Sequence, residues 1–181
     1  MKPQVCLSSL LIVASAATAF SQTTPAREVS VGYSFMREEF EFNRNGWVTS
    51  YAENVNRWFG VKAELGGNYT GGAGDVHSIL AGPQFALTKR SRITPWSHFL
   101  LGTALTHRNF FFFTPGALPP GLGLVPLQTS DANFAIQPGG GIDYWLGSKV
   151  GIRLGGDYRR VFRGPDSFRL HGGVVFRIGS R

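Results

Sequence analysis

Alternation of apolar and polar residues, sustained over long segments, constrains this chain more than any other feature. A period of two marks an extended strand whose two faces meet different surroundings. Eight such segments follow one another, at about 27–37, 46–56, 60–70, 76–88, 94–107, 131–145, 149–162 and 167–178. In the first, Val29, Val31, Tyr33 and Phe35 alternate with Glu28, Ser30, Gly32 and Ser34. In the third, Val61, Ala63, Leu65 and Tyr69 oppose Lys62, Glu64 and Asn68. The seventh sets Val150, Ile152, Leu154 and Tyr158 against Arg153, Asp157 and Arg159; the eighth sets Phe168, Leu170, Val174 and Phe176 against Arg169, His171 and Arg177. Soluble strands typically run ~5–6 residues, whereas a tilted strand needs ~9–11 to cross a bilayer. The segments fit the second length. The expected fold is all-β: a single antiparallel eight-stranded transmembrane β-barrel.

The N-terminus reads differently. Lys2 supplies a basic start, Val5–Ala19 is an apolar run, and Ala17-Thr18-Ala19 and Ala19-Phe20-Ser21 both fit small-x-small cleavage patterns. Residues 1–21 are therefore read as a signal peptide, with 22–181 as the barrel domain. The apolar run is too short for a spanning helix, which needs ~20 residues. The only cysteine, Cys6, lies within the signal, so the mature chain has no disulfide, Cys-ligated metal or Cys nucleophile. The chain has 18 Lys and Arg against 11 Asp and Glu; without Lys2 the excess falls to six. Such a charge suits lipid phosphates and acidic polysaccharide, and a secretory signal excludes nucleic acid. The 24 glycines and 13% aromatics, without long apolar runs, match a barrel wall rather than a helix bundle.

Connectors alternate in length: 56–59, 88–93 and 146–149 are short, whereas 38–45, 70–75 and 163–167 are looser and 108–130 is longest. Outer-membrane barrels place short turns on the periplasmic side and longer loops outside. Pro83 and Pro138 fall inside strands, each beside glycine, which predicts a bulge or a sharp bend at both.

Several stretches carry a resemblance: Val31-Gly32-Tyr33-Ser34, Asn45-Gly46-Trp47, Asn54-Val55-Asn56-Arg57-Trp58-Phe59-Gly60, Gly82-Pro83, Gly139-Gly140-Gly141-Ile142-Asp143 and Gly172-Gly173-Val174-Val175-Phe176-Arg177. In these the chain resembles the small eight-stranded outer-membrane β-barrel family, which includes the transmembrane domain of OmpA and the OmpX-type proteins. The resemblance implies a bacterial outer-membrane location, lipid and lipopolysaccharide as surroundings, and insertion by the barrel assembly machinery. His171-x-Gly173-x-x-Phe176-x-Ile178 is similar to the assembly signal of such barrels, although the chain ends on Arg181 rather than on an aromatic residue.

An eight-stranded barrel is only wide enough inside for side chains. Lys62, Glu64, Asp143, Arg153, Asp157, Arg159, Arg169 and His171, with Glu28, His98 and Arg177, are expected to form a lumen charge network, because charges there must pair. A narrow ion path is the alternative. Trp47, Trp58, Phe59, Trp96, Tyr144 and Trp145 lie near strand ends and are expected to form the aromatic girdle. No catalytic, cofactor-binding or metal residues are assigned. His77-Ser78 and Ser97-His98 are adjacent, so alternation sends each pair to opposite faces. The expected function is a non-enzymatic, monomeric outer-membrane protein with a structural or surface-interaction role. A small channel or ligand-binding barrel and a lipid-modifying enzyme are the alternatives. The segment Arg108–Ser130, uncharged between Asn109 and Thr129, is expected to be an external loop that makes contact with a membrane or partner; in the other reading its Phe110–Phe113 run extends the fifth strand into the outer girdle and the rest folds over the barrel mouth as a plug.

Overall fold

The computed structural model describes residues 27–39, 43–56, 58–71, 74–87, 92–113 and 124–179, with side chains described outside 108–128. The proposed signal peptide, 1–21, lies outside the described residues. Eight antiparallel strands form one closed barrel: β1 (Arg27–Glu38), β2 (Asn43–Asn54), β3 (Phe59–Thr70), β4 (Gly74–Ala86), β5 (Ile93–Phe113), β6 (Leu124–Trp145), β7 (Val150–Val161) and β8 (Ser167–Ile178). Each strand pairs with its sequence neighbours, and β1 closes on β8 from Arg27↔Ile178 to Glu38↔Ser167. Closure leaves no open edge in the barrel wall, which is the condition for a sheet to lie in lipid.

The period-two pattern becomes an inside and an outside. On β7, Arg153, Asp157, Arg159 and Val161 are buried, whereas Ile152, Leu154, Tyr158 and Arg160 are exposed. The outer surface is a belt of apolar side chains, among them Val31, Leu65, Ile79, Leu101, Phe134, Leu154, Leu170 and Val174, all more than a third exposed. A soluble fold would bury such residues; a bilayer covers them. Arg27 and Ile178 share one rim, where β2 leads to β3, β4 to β5 and β6 to β7, and β1–β2, β3–β4 and β7–β8 connect at the opposite rim.

Three expectations need correction. First, the connectors on the far rim are as short as the turns, except between β5 and β6. Second, Pro83 and Pro138 create no bulge. The β4–β5 register is the same at Ala81↔Leu101 and Gln84↔His98, and the β6–β7 register is the same at Ile136↔Arg160 and Gly139↔Asp157. Only the ladder pairs at the proline are missing, because proline has no N–H to give the neighbouring strand. Third, 108–130 is not a loop. β5 runs on to Phe113, β6 starts at Leu124, and the two pair continuously from Ile93↔Tyr144 to Phe113↔Leu124. On one side β4 stops pairing at Gly74↔Arg108; on the other, β7 stops at Ala135↔Val161. Beyond those points β5 and β6 form a two-stranded ribbon standing past the rim.

Candidate functional site: a filled lumen and a protruding ribbon

The structure points all eight residues Lys62, Glu64, Asp143, Arg153, Asp157, Arg159, Arg169 and His171 into the barrel and buries each of them. Glu28, His98, Glu38 and Arg44 join them. Glu38 and Arg44 escaped the sequence reading because they were assigned to a loop; the parity of Glu38 with Ser34 and Met36 was the available signal.

The charges form three groups along the axis. Near the turn rim, Arg153 bonds Asp143 twice, at 2.7 Å from Nε and Nη2, and reaches Glu28 at 3.1 Å. Arg177 lies 3.4 Å from the same Glu28. In the middle, Arg169 donates to both Glu64 and Asp157, while Lys62 Nζ lies 2.9 Å from Glu64 Oε2. His98 Nε2 is 3.0 Å and His171 Nε2 3.4 Å from Asp157. Lys62 Nζ also approaches His98 Nδ1 at 3.1 Å. An ammonium can only donate, so Nδ1 accepts and the ring proton sits on Nε2, which makes His98 the neutral imidazole. Gly139 makes this arrangement possible: a Cβ there would stand 1.9 Å from Asp157 Oδ1 and 2.7 Å from His98 Nε2. Near the far rim Glu38 and Arg44 pair at 2.8 Å.

Two tryptophans expected in the girdle are inside instead. Trp96 is 4% and Trp145 5% exposed, since they share parity with His98 and Asp143. Trp96 donates its indole N–H to Asp143 Oδ1 at 3.0 Å and stacks on His98 and His171 at 5.3 and 5.9 Å. Lys62 and Arg153 sit over its ring, each at 5.1 Å. It is thus a partition between the middle and turn-rim charges, held by cation–π attraction on both sides. Trp145 donates to Thr94 Oγ1 at 3.1 Å and lies under Arg177, 3.5 Å from its ring. Trp47, Trp58 and Tyr144 face outward and are exposed, and Phe59 is half-buried beside Trp58 and Phe85. Trp47 donates to Tyr69 at 3.2 Å at the far rim, whereas Trp58, Phe59 and Tyr144 lie toward the turn rim.

Above the middle charges, Met36, Val76, Leu80, Leu100, Ala104, Ala135 and Val161 pack into a buried apolar layer. Such a layer offers an ion no replacement for its hydration shell. On the outer face of the far rim, Ser130 Oγ lies 2.7 Å from His107 Nδ1 and Asp75 Oδ2 2.9 Å from His77 Nε2. Sequence spacing did not reveal this Ser–His contact, because register across β5 and β6 creates it. Asp75 engages His77 rather than His107, so no acid-oriented relay to Ser130 is formed. Among the described residues, no group of three or more His, Cys, Asp and Glu could hold a metal ion.

Comparison with known proteins gives likeness in structure only. No family model matches the chain, and no curated protein matches it in sequence. Among solved structures, Ail, the attachment invasion locus protein of Yersinia pestis, in complex with the heparin analogue sucrose octasulfate, aligns with a TM-score of 0.59 at 16% identity, covering 86% of this chain and 100% of that one. Neisserial surface protein A aligns with a TM-score of 0.57 at 13% identity, over 86% and 98% of the two chains. OprG from Pseudomonas aeruginosa aligns at 0.59 and 8% identity, over 88% and 99%. These matches run nearly the whole length of proteins that share little sequence with this one, as a common backbone path requires. The chain has the fold of the small eight-stranded outer-membrane β-barrels.

Proposed function

We propose that this chain is a non-enzymatic protein of the bacterial outer membrane, in which a sealed barrel anchors a contact element formed by the β5–β6 ribbon. The observation that carries the reading is the ribbon's extent past its neighbours. β5 continues beyond Arg108 to Phe113, about 17 Å at ~3.3 Å per residue. Its cross-strand pairs from Phe110↔Leu127 to Phe113↔Leu124 are apolar in both members. Apolar surface held outside a membrane generally marks an interaction site. Residues 1–21 direct export, lipid and lipopolysaccharide surround the belt, and the barrel assembly machinery inserts the monomer. Outward-facing Trp47, Trp58 and Tyr144 suit headgroup level, their rings in lipid and their polar atoms in water. The solved complex of Ail holds a polysulfated sugar. The uncharged ribbon here favours an apolar partner, a lipid surface or an apolar protein patch, over a polyanion.

The buried apolar layer and the paired charges argue against a channel. They lie within the barrel, so removing the ribbon opens no path. The deciding experiment joins Asn109 to Gln128, which are register partners, through a short Gly-rich turn. The shortened protein should fractionate with the outer membrane and run as a heat-modifiable band, as the parent does. Its planar-bilayer conductance should stay at the parent's level, while adhesion of expressing cells to lipid-coated and host-cell surfaces drops. Unchanged adhesion would remove the contact role, and a rise in conductance would make the ribbon a plug.

A further inference from the structure

The lumen charges do not balance, and the imbalance has an address. Near the turn rim, Arg153 and Arg177 meet Glu28 and Asp143; near the far rim, Arg44 meets Glu38. In the middle, Lys62, Arg159 and Arg169 face only Glu64 and Asp157. Counting Lys and Arg against Asp and Glu alone, at least one positive charge is left over among the described residues. The surplus belongs to Arg159. It is 1% exposed, and its partners are both uncharged: Gln137 Oε1 accepts from Nε at 2.8 Å, and Ser78 Oγ from Nη2 at 3.1 Å. Glu64 already accepts from Gln137 and Arg169 and forms an ion pair with Lys62, and Asp157 already engages Arg169, His98 and His171. Neither carboxylate bonds Arg159.

A second observation points to the same place. Nη1 of Arg159 and Nη1 of Arg169 are both buried and meet no acceptor within the protein. Both guanidiniums reach the wall where Gly66 and Ser78 are register partners: a Cβ on Gly66 would stand 3.1 Å from Ser78 Oγ and 3.4 Å from Arg169 Nη1. Ser78 Oγ accepts from Arg159, which leaves its own O–H to donate. The partnerless Nη1 of Arg169, the Ser78 hydroxyl and the Arg159 guanidinium bonded to it therefore meet at one stretch of wall, where one negative charge is missing. A buried uncompensated charge is strongly disfavoured, and so is a buried donor without an acceptor.

We propose that the barrel lumen binds a small monovalent anion, of the class of chloride, between Arg159 and Arg169 beside Ser78. Val161, two residues beyond Arg159 on β7, and its register partner Ala135 are buried apolar neighbours on the far-rim side. The anion completes the salt-bridge network and makes folding of the barrel halide-dependent.

The test refolds the whole chain from urea into detergent micelles, with chloride, bromide or gluconate at equal ionic strength. Resistance to urea is read from the heat-modifiable band. Ligand that binds only the folded state stabilises it logarithmically, so above the dissociation constant each tenfold rise in chloride should raise the urea midpoint by an equal step. Gluconate should give none. Crystals grown with bromide should show an anomalous peak between the two arginines. Arg159→Gln should abolish the chloride step, and Ser78→Ala should shift it to roughly tenfold higher chloride. If Arg159→Gln does not fold, Ser78→Ala and the bromide crystal decide. Equal midpoints in chloride and gluconate with no bromide peak would mean that water alone fills the place and would overturn the proposal. So would a chloride step left unchanged by both substitutions.

Discussion

Asp157→Asn isolates the contribution of the middle charge cluster to barrel stability. Asp157 is 1% exposed and takes Arg169 on one side and His98, at 3.0 Å, and His171, at 3.4 Å, on the other. Asparagine keeps the shape and removes the charge. Arg169 then retains only Glu64, which it already shares with Lys62 and Gln137. Removing one partner of a buried pair costs ~3–5 kcal/mol, because the other charge stays desolvated. Retention of Glu64 places the expected loss near the lower end, about 3 kcal/mol, or roughly a hundredfold or more in the folding equilibrium. Asp166→Asn is the control. Asp166 meets Arg160 at 3.5 Å on the far rim, with side chains 23% and 58% exposed, and an exposed pair of that kind is worth at most about 1 kcal/mol. Both variants would be refolded into micelles and titrated with urea. Asp157→Asn combined with Arg169→Gln completes a double-mutant cycle, which should show the pair losing less than the sum of its single losses by ~0.5–3 kcal/mol. Equal losses for Asp157→Asn and Asp166→Asn, or strict additivity in the cycle, would refute the reading of the lumen as a mutually compensated network.

Leu154→Arg places a guanidinium on the belt, where Leu154 is 53% exposed, and should cost ~2–4 kcal/mol if the site lies near the bilayer midplane; Ser148→Arg in the β6–β7 turn should change stability by less than about 0.5 kcal/mol in the same urea titration. Gly139→Ala sets a methyl group against the Asp157–His98 contact and should cost at least the ~1–3 kcal/mol of an overpacked core, measured as a lowered urea midpoint. Trp96→Phe keeps the ring stacked between His98 and His171 but withdraws the indole donor from Asp143. The loss should be ~1–3 kcal/mol, and a loss near zero would show that Arg153 alone satisfies that carboxylate.

Side-chain parity made the barrel legible. The polar positions of β3, β7 and β8 are those that turn inward, so the face of Lys62, Asp157 or Arg169 follows from its neighbours' chemistry. The same rule places Trp96 and Trp145 inside, since they fall in step with His98 and Asp143. Proximity to a strand end was the weaker cue, and it misassigned both. Strand ends were harder. Glu38 and Arg44 look like loop residues until they are seen as an inward pair at 2.8 Å. The run Phe110–Phe113 shows no alternation and leaves a loop and an extension of the fifth strand both open; it extends β5. Partner choice across the lumen was not legible. Arg169 and Asp157 are register neighbours on β8 and β7, but Arg169 and Glu64 meet across the interior from β8 to β3, which depends on how the strands are staggered around the barrel. The surplus charge on Arg159 follows from those pairings and is equally invisible in the sequence.

Whatever passes or does not pass through the barrel, charge inside it does something that apolar filling cannot. Strand pairing slips by whole residues, and a slip of one exchanges the two faces. On β7 such a slip would carry Arg153, Asp157 and Arg159 into lipid and bring Ile152, Leu154 and Tyr158 inside. Each arginine moved to the bilayer midplane costs ~2–4 kcal/mol, and its lumen partner would be left unpaired. Were both faces apolar, neither register would be penalised. The lumen charges are therefore best understood as fixing which face is which, with Gly139 and the converging arginines as the local cost of fitting them into so narrow a barrel. Past Arg108 the alternation ends and neighbouring strands fall away, so nothing in the ribbon's own pattern holds its register. It is set from below, by the barrel, which is what a sealed anchor contributes to the element it carries.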